Sequence, residues 1–307
     1  MKTKITIGMA LLMSSMLFGN CSKQKSTMPD TPIAMTSNGT KIQVALLIDT
    51  SNSMDGLIEQ AKSRLWNIVN TLTTLKYSGN TPTIEIALYE YGNDGLRSES
   101  NYIRKVTPLT TDLDLISEKL FSLKTNGGEE YCGAVIQDAT SKLEWSKQEN
   151  DMKLIYISGN EAFNQGGVNY KEAIGHALKN GIYVNTIFCG NSAEGVNTFW
   201  KNGADCGKGK YFTIDSNQQV QYIATPYDAK IAKYNEQMNT TYIGYGKMGE
   251  SKKMNQETQD KNAVSISSSN YAERAVSKSK AVYKNESWDL VDKVKEDKNA
   301  ILTIPKA

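Results

Sequence analysis

The chain has 307 residues, with 35 Lys and Arg against 33 Asp and Glu, one His and four Cys, enough for one core of about 180–200 residues plus an appendage. Basic and acidic residues are interleaved, which excludes the clustered basic field that phosphate-backbone binding requires, so no nucleic acid partner is expected. One histidine and no Cys-x-x-Cys spacing exclude a two-histidine or cysteine-caged metal centre.

Lys2 and Lys4 precede an apolar stretch from Ile5 to Phe18, too short for a bilayer span and of the kind that opens a secretory signal, so residues 1–20 are expected to be a signal peptide. Leu17-Phe18-Gly19-Asn20-Cys21 closes the stretch and resembles a bacterial lipobox, although Phe18 and Asn20 depart from the usual Leu and small residue. The resemblance implies lipidation of Cys21 and a cell-envelope protein held to a membrane by its lipid anchor. Ordinary cleavage with Cys21 left as a spare thiol is the alternative. Residues 21–40, with Pro29, Pro32 and Gly39, then read as a lipidated polar tether. Loss of residues 1–20 removes two lysines and no acid, taking the formal charge from +2 to 0. The remaining Cys132, Cys189 and Cys206 are an odd number in an oxidising compartment, and one pair with one leftover is expected.

From residue 41 short β-branched runs alternate with longer helical stretches, the pattern of a parallel sheet covered on both faces. Ile42–Ile48 reads as a buried central strand, and Leu57, Ala61, Leu65, Ile68, Val69 and Leu72 recur at helical spacing. Thr83–Tyr91 and Tyr102–Val106 read as strands joined in a hairpin through Asn93-Asp94-Gly95. Leu113–Leu123 and Cys132–Trp145 read as helices, Lys153–Ser158 as a strand, and Tyr170–Asn180 as a helix closed by Gly181. Ile182–Phe188 and Lys210–Ile214 complete six strands, with one helix expected between them. The implied fold is α/β, a doubly wound, mainly parallel six-stranded sheet with helices on both faces. Beyond it Tyr227–Met238 is helical in composition, Thr241–Gly246 is a Gly/Tyr connector, Lys252–Asn285 has apolar residues only at wide spacing, and Trp288, Leu290, Val291 and Val294 mark a short amphipathic helix. This helical extension buries too little to fold alone and is expected to pack back on the sheet domain or on a partner.

Asp49-Thr50-Ser51-Asn52-Ser53 directly follows the first strand and puts a carboxylate and two hydroxyls on alternate positions. Mg²⁺ or Mn²⁺, hard ions that favour oxygen ligands and retained waters, suit such a set. A plain reading of the same residues is a helix N-cap by Ser51 or Ser53. The strand–Asp-x-Ser-x-Ser–helix context resembles the first segment of the metal-ion-dependent adhesion site of von Willebrand factor A (VWA) domains. Asn126-Gly127-Gly128-Glu129-Glu130-Tyr131 occupies the place of the family's second metal loop, and the strand ending in Ser158-Gly159-Asn160-Glu161 the third. The likeness covers about residues 41–216, leaving 217–307 as the extension. It implies ligands Asp49, Ser51 and Ser53. Tyr131 stands where the family has a ligating Thr and Gly159 where it has an Asp, so Glu130 and Glu161 are read either as substitute ligands, direct or through water, or as solvated carboxylates. Cation affinity is expected to be low.

The resemblance implies an envelope lipoprotein whose VWA domain binds a protein or glycan partner through this site. A metal-independent docking subunit of a periplasmic or surface assembly is the alternative. No enzyme is expected: His176 is distant in sequence from Ser51 and Ser53, and neither a Gly-x-Ser-x-Gly elbow nor a phosphate loop is present. Tyr89, Tyr91 and Tyr131 are read as either ligand contacts or ordinary sheet residues. Cys132 opens a helix and Cys189 ends a strand, so a Cys132–Cys189 disulfide is expected, with Cys189–Cys206 as the rival.

Overall fold

A computed structural model of the chain describes residues 40–77, 79–214 and 225–298. The expected signal peptide over residues 1–20, the lipidated Cys21 and the tether as far as residue 39 lie outside the described residues.

Six strands form one sheet: β1 (Lys41–Asp49), β2 (Thr83–Tyr91), β3 (Ile103–Thr110), β4 (Met152–Gly159), β5 (Ile182–Cys189) and β6 (Lys208–Ile214). Their order is β3-β2-β1-β4-β5-β6, and every neighbouring pair is parallel except the antiparallel β2 and β3. The chain winds outward from β1 in one direction and then returns to place β4 on its other side. The carboxyl ends of β1 and β4 therefore flank the switch point where ligands of open α/β sheets bind.

Val44–Ile48 are wholly inaccessible to solvent, because successive side chains of β1 feed two different cores. Val44, Leu46 and Ile48 pack with α1 (Ile58–Leu72) and α2 (Leu113–Ser122). Ala45 and Leu47 pack with α3 (Cys132–Lys142) and α4 (Tyr170–Lys179). Gly181 follows α4 at φ +71°, the left-handed turn expected of it.

Three local expectations are revised. Asn93–Gly95 alone does not make the hairpin: the connection runs to Tyr102 through a 3₁₀ turn at Ser98–Ser100, with Asn101 and Tyr102 both at positive φ. The helix expected to reach Trp145 stops at Lys142, and Trp145 instead folds back to donate its indole N–H to Ala139 O at 2.9 Å. Two helices, α5 (Ser192–Asn197) and α6 (Trp200–Cys206), replace the one expected between β5 and β6, because Phe199 at φ +70° breaks the run.

The extension contributes α7 (Asp228–Asn239), α8 (Gly249–Ile266), α9 (Ser268–Lys278) and α10 (Leu290–Glu296). Tyr242, Val282, Tyr283 and Trp288 join the core on the α1/α2 side. The long segment with sparse apolar residues is held by buried polar groups instead. Arg274 Nη2 meets Asp114 Oδ1 of α2 at 2.8 Å and its Nε meets Asp260 Oδ1 at 2.5 Å. Lys278 Nζ and the amides of Asn235 and Asn239 all donate to Asp260 Oδ2 at 2.8 Å. Among the described residues no helix is long and apolar enough to cross a membrane.

Candidate functional site

Asp49 is the last residue of β1, and its alternation puts the side chain on the α3/α4 side of the sheet, with no exposed surface. Its Oδ1 accepts the Ser51 N–H at 2.8 Å, which curls the loop back over the strand end. Its Oδ2 is buried and has no hydrogen-bond partner among the described residues. Ser51 Oγ and Ser53 Oγ lie 2.9 Å apart. Neither hydroxyl caps a helix: the 3₁₀ turn Asn52–Met54 that follows Ser51 has no side-chain cap bond, and α1 begins only at Ile58. The backbone around them is pinned by Thr50 N donating to Tyr91 O and Asn126 N donating to Thr50 O, each at 2.9 Å. Those two bonds bring the loops after β1, β2 and α2 together.

Glu130 comes to the same place. A Cβ built on Gly92, at φ +76°, would lie 2.9 Å from Asp49 Oδ1 and 3.1 Å from Glu130 Cγ, so a residue without a side chain is needed for the two acids to converge. Burial pushes the Asp49 carboxyl up to about 7; hydrogen bonding from Ser51 opposes this, while the charges of Glu130 and Glu161 add to it. Burial also raises Glu130, hydrogen bonding from Ser51 offsets part of the rise, and Glu161 and Glu129 push it further up. The charges acting most on this pocket are thus all acidic. Glu161 contributes its charge, while its backbone carbonyl accepts the Trp200 indole N–H at 2.6 Å. Among the described residues, no three Asp, Glu, His or Cys side chains gather tightly enough to form a metal centre by themselves.

The position of the family's third-loop acid is closed by packing. A Cβ on Gly159 would meet Tyr91 Oη at 2.7 Å, Asp49 Oδ2 at 2.9 Å and Trp200 Cη2 at 3.0 Å. The next residue, Asn160, ties this loop to the turn after β1: Ser53 Oγ donates to its Oδ1, and its Nδ2 donates to Ser53 O, both at 2.8 Å. Asn160 was adjacent to the expected ligands in sequence, but its amide gave no metal-type signal. Tyr131 turns away from Asp49, packing edge-on to Tyr102 with ring centroids 6.2 Å apart and lying against Gly166.

Tyr89 and Tyr91 are fully buried and are not part of a binding surface. Tyr91 Oη donates to Ser158 O at 3.0 Å and lies 3.7 Å from Cys132 Sγ, supporting the Asp49 pocket from below. The expected Cys132–Cys189 bridge is not formed; Cys132, Cys189 and Cys206 are all free thiols. The reason is the pleat: Cys189 points to the α1/α2 core and Cys132 belongs to the α3/α4 core, on opposite faces of the sheet.

A doubly wound sheet with one antiparallel edge, three loops meeting at its switch point, and an Asp-x-Ser-x-Ser turn at their centre define an α/β domain that gathers its strand-end loops into one site. The von Willebrand factor type A domain family matches residues 43–226, more than half of the chain, and the chain belongs to that family. Domains of this family are generally interaction modules rather than enzymes. A comparison with curated proteins finds no match. Among solved structures the chain is similar to proximal thread matrix protein 1 from the mussel byssus with a zinc-occupied MIDAS motif, at 14% identity and TM-score 0.43, covering 59% of this chain and 43% of that one. It spans less than half the length of that protein. It is also similar to BatB from Bacteroides thetaiotaomicron, at 20% identity and TM-score 0.41, covering 65% of this chain and 98% of that one. An aerotolerance-related membrane protein from Bacteroides fragilis matches at 20% identity and TM-score 0.38, covering 58% and 94%.

Proposed function

We propose that the protein is a cell-envelope lipoprotein, anchored to a membrane through Cys21, whose VWA domain binds a protein or glycan partner with the help of a weakly held Mg²⁺ or Mn²⁺. The observation that carries the cation is the Asp49 carboxylate: it is fully buried, converges with Glu130 at Gly92, and its Oδ2 has no hydrogen-bond partner among the described residues. A buried charge is costly unless it is paired, and this pocket supplies acids and hydroxyls but no counter-charge of its own. Asp49, Ser51 and Ser53 would hold the ion, with Glu130 and Glu161 at its margin. The ion would lend the site an electrophilic centre for a partner's carboxylate or hydroxyl. With one carboxylate in the central set, an affinity near millimolar is expected, about −4 kcal/mol.

A second reading is favoured by Asn160. Its Oδ1 accepts the Ser53 hydroxyl while its Nδ2 donates to the Ser53 carbonyl, which ties up one of the hydroxyls, as in a docking scaffold that works without metal. Calorimetric titration of Mg²⁺ and Mn²⁺ into wild type and Asp49→Ala separates the two. Heat in wild type that vanishes in the variant supports the cation site, and no heat in either sinks it in favour of the scaffold.

A further inference from the structure

The ends of α7 and α9 meet over one buried acid of α8. Lys278, the last residue of α9, has no exposed side-chain surface, and its Nζ donates to Asp260 Oδ2 at 2.8 Å. The same Nζ donates to Oδ1 of Asn239, the last residue of α7. Asn239 Nδ2 in turn donates to Asp260 Oδ2 at 2.8 Å. An amine, a carboxamide and a carboxylate that touches both are thus gathered in one place. The ring of the buried Tyr242 lies beside the amine, its centroid 6.0 Å from Nζ. Burial lowers the pKa of Lys278, Asp260 opposes the fall, and the charge of Arg274 adds to it. Asp260 stays ionised because Arg274 and Lys278 outweigh its burial, which leaves it able to accept a proton. Lys62, the other buried lysine among the described residues, meets Glu59 Oε1 and Leu123 O instead of a carboxamide.

We propose that Lys278 and Asn239 react with each other to form an intramolecular isopeptide bond that staples α9 to α7. The reaction balances without an outside reagent. Asp260 Oδ2 takes a proton from the Lys278 ammonium, the freed Nζ attacks Asn239 Cγ, and an Nζ–Cγ bond forms. The Cγ–Nδ2 bond then breaks. The protons shed by Nζ pass through Asp260 to Nδ2, which leaves as ammonium, so the positive charge of Lys278 departs with it and nothing is oxidised or reduced. A lysine becomes nucleophilic when it is desolvated beside another cation, the position Arg274 gives Lys278. Nζ rests against Oδ1, one C=O bond from the carbon it must reach, and holding reacting groups close together lowers the barrier to such a step. Arg274 Nε stays on Asp260 Oδ1 at 2.5 Å, so the acid keeps a counter-charge once the lysine is spent. The link joins residues 39 positions apart, in an extension with few buried apolar groups, and a cross-link of that span restricts chiefly the unfolded chain. It is independent of the cation reading above.

The test is peptide mapping of the full chain, kept folded for an extended incubation, then denatured, digested with trypsin and read by tandem mass spectrometry. Trypsin does not cut after an amide-linked lysine, so residues 234–247 are expected joined to residues 275–280, at the sum of the two masses less one ammonia. Wild type is expected to carry this species in most chains. Lys278→Arg keeps a cation beside Asp260 without the amine nucleophile, and Asn239→Ala has no carboxamide to attack; each is expected to abolish the linked species. Separate peptides 234–247 and 275–278 as the sole products from wild type overturn the inference. A link that persists in either variant, or fragment ions that place it at Asn235, overturns it as well. The wild-type map is decisive even where a variant fails to fold.

Discussion

Two places in this molecule bury carboxylates, and they solve the problem in opposite ways. Where the extension meets the sheet domain, Asp114 of α2 and Asp260 of α8 are met by Arg274 and Lys278, with Tyr283, Asn235 and Asn239 completing the shell. At the switch point Asp49 and Glu130 converge with Ser51, Tyr91 and Trp200 close by but no cationic side chain, and Asp49 Oδ2 has no hydrogen-bond partner among the described residues. The contrast teaches which site is finished. Burial works to raise Asp260, and Arg274 and Lys278 more than offset it, holding the carboxyl below its usual range. Burial raises Asp49 to about 7 because nothing cationic offsets it. A site whose counter-charge is part of the chain serves structure; a site that lacks one is open to an outside cation or a partner.

The largest expected effect comes from breaking the finished site. Arg274 is 1% exposed and joins α9 to both α2 and α8, so Arg274→Met leaves buried Asp114 without a cation and Asp260 with Lys278 alone at the seam between extension and sheet domain. Removing one member of a buried ion pair costs about 3–5 kcal/mol. Urea unfolding at neutral pH should show a loss of that size. A loss under about 1 kcal/mol would mean that the extension is not locked to α2 through this residue.

The unfinished site should show the opposite pH slope. Asp49 titrates near 7 folded against an ordinary value of 3.8, so the folded state binds its proton more tightly than the unfolded chain does. Its contribution is fully present below about pH 4 and is lost as the pH rises to about 7, whereas the lowered Asp260 contributes above 3.8 and is lost as the pH falls. At 1.36 kcal/mol per pKa unit, Asp49→Asn in EDTA should stabilise the protein by up to about 4 kcal/mol at pH 8 and change little at pH 4. Thermal melts across that range check it, and a difference that does not vary with pH would rule out a protonated, uncompensated Asp49.

Much of the sheet domain was legible because its signals are local. β1 from Ile42 and β2 from Ile86 are continuous buried runs, Gly181 marks a left-handed turn, and Asp49, Ser51 and Ser53 fall together as the strand-to-loop spacing requires. The extension was far less legible. α8 and α9 bury Gln256, Gln259, Asp260 and Arg274 where a periodicity argument looks for Leu or Ile, so the sequence pattern reads as solvated. At the site, Gly159 could be seen to stand where the family has an Asp, but not why. The reason sits on another strand, in a tyrosine whose β-sheet placement says nothing about where its hydroxyl ends.

That hydroxyl is the subject of the smallest expected effect. Tyr91 Oη, donating to Ser158 O, occupies the space into which any side chain at position 159 would grow. If Gly159 is a consequence of this packing, Gly159→Ala should cost about 1–3 kcal/mol through overpacking, since Tyr91 Oη, Asp49 Oδ2 and Trp200 Cη2 all lie within 3.0 Å of the added carbon. Tyr91→Phe removes the nearest of these atoms. The alanine should therefore cost less in the Tyr91→Phe background than in wild type, and the double-mutant cycle should give a coupling of at least about 0.5 kcal/mol. Additive costs would show that Tyr91 is not what keeps a side chain, and with it the family's third-loop acid, out of this site.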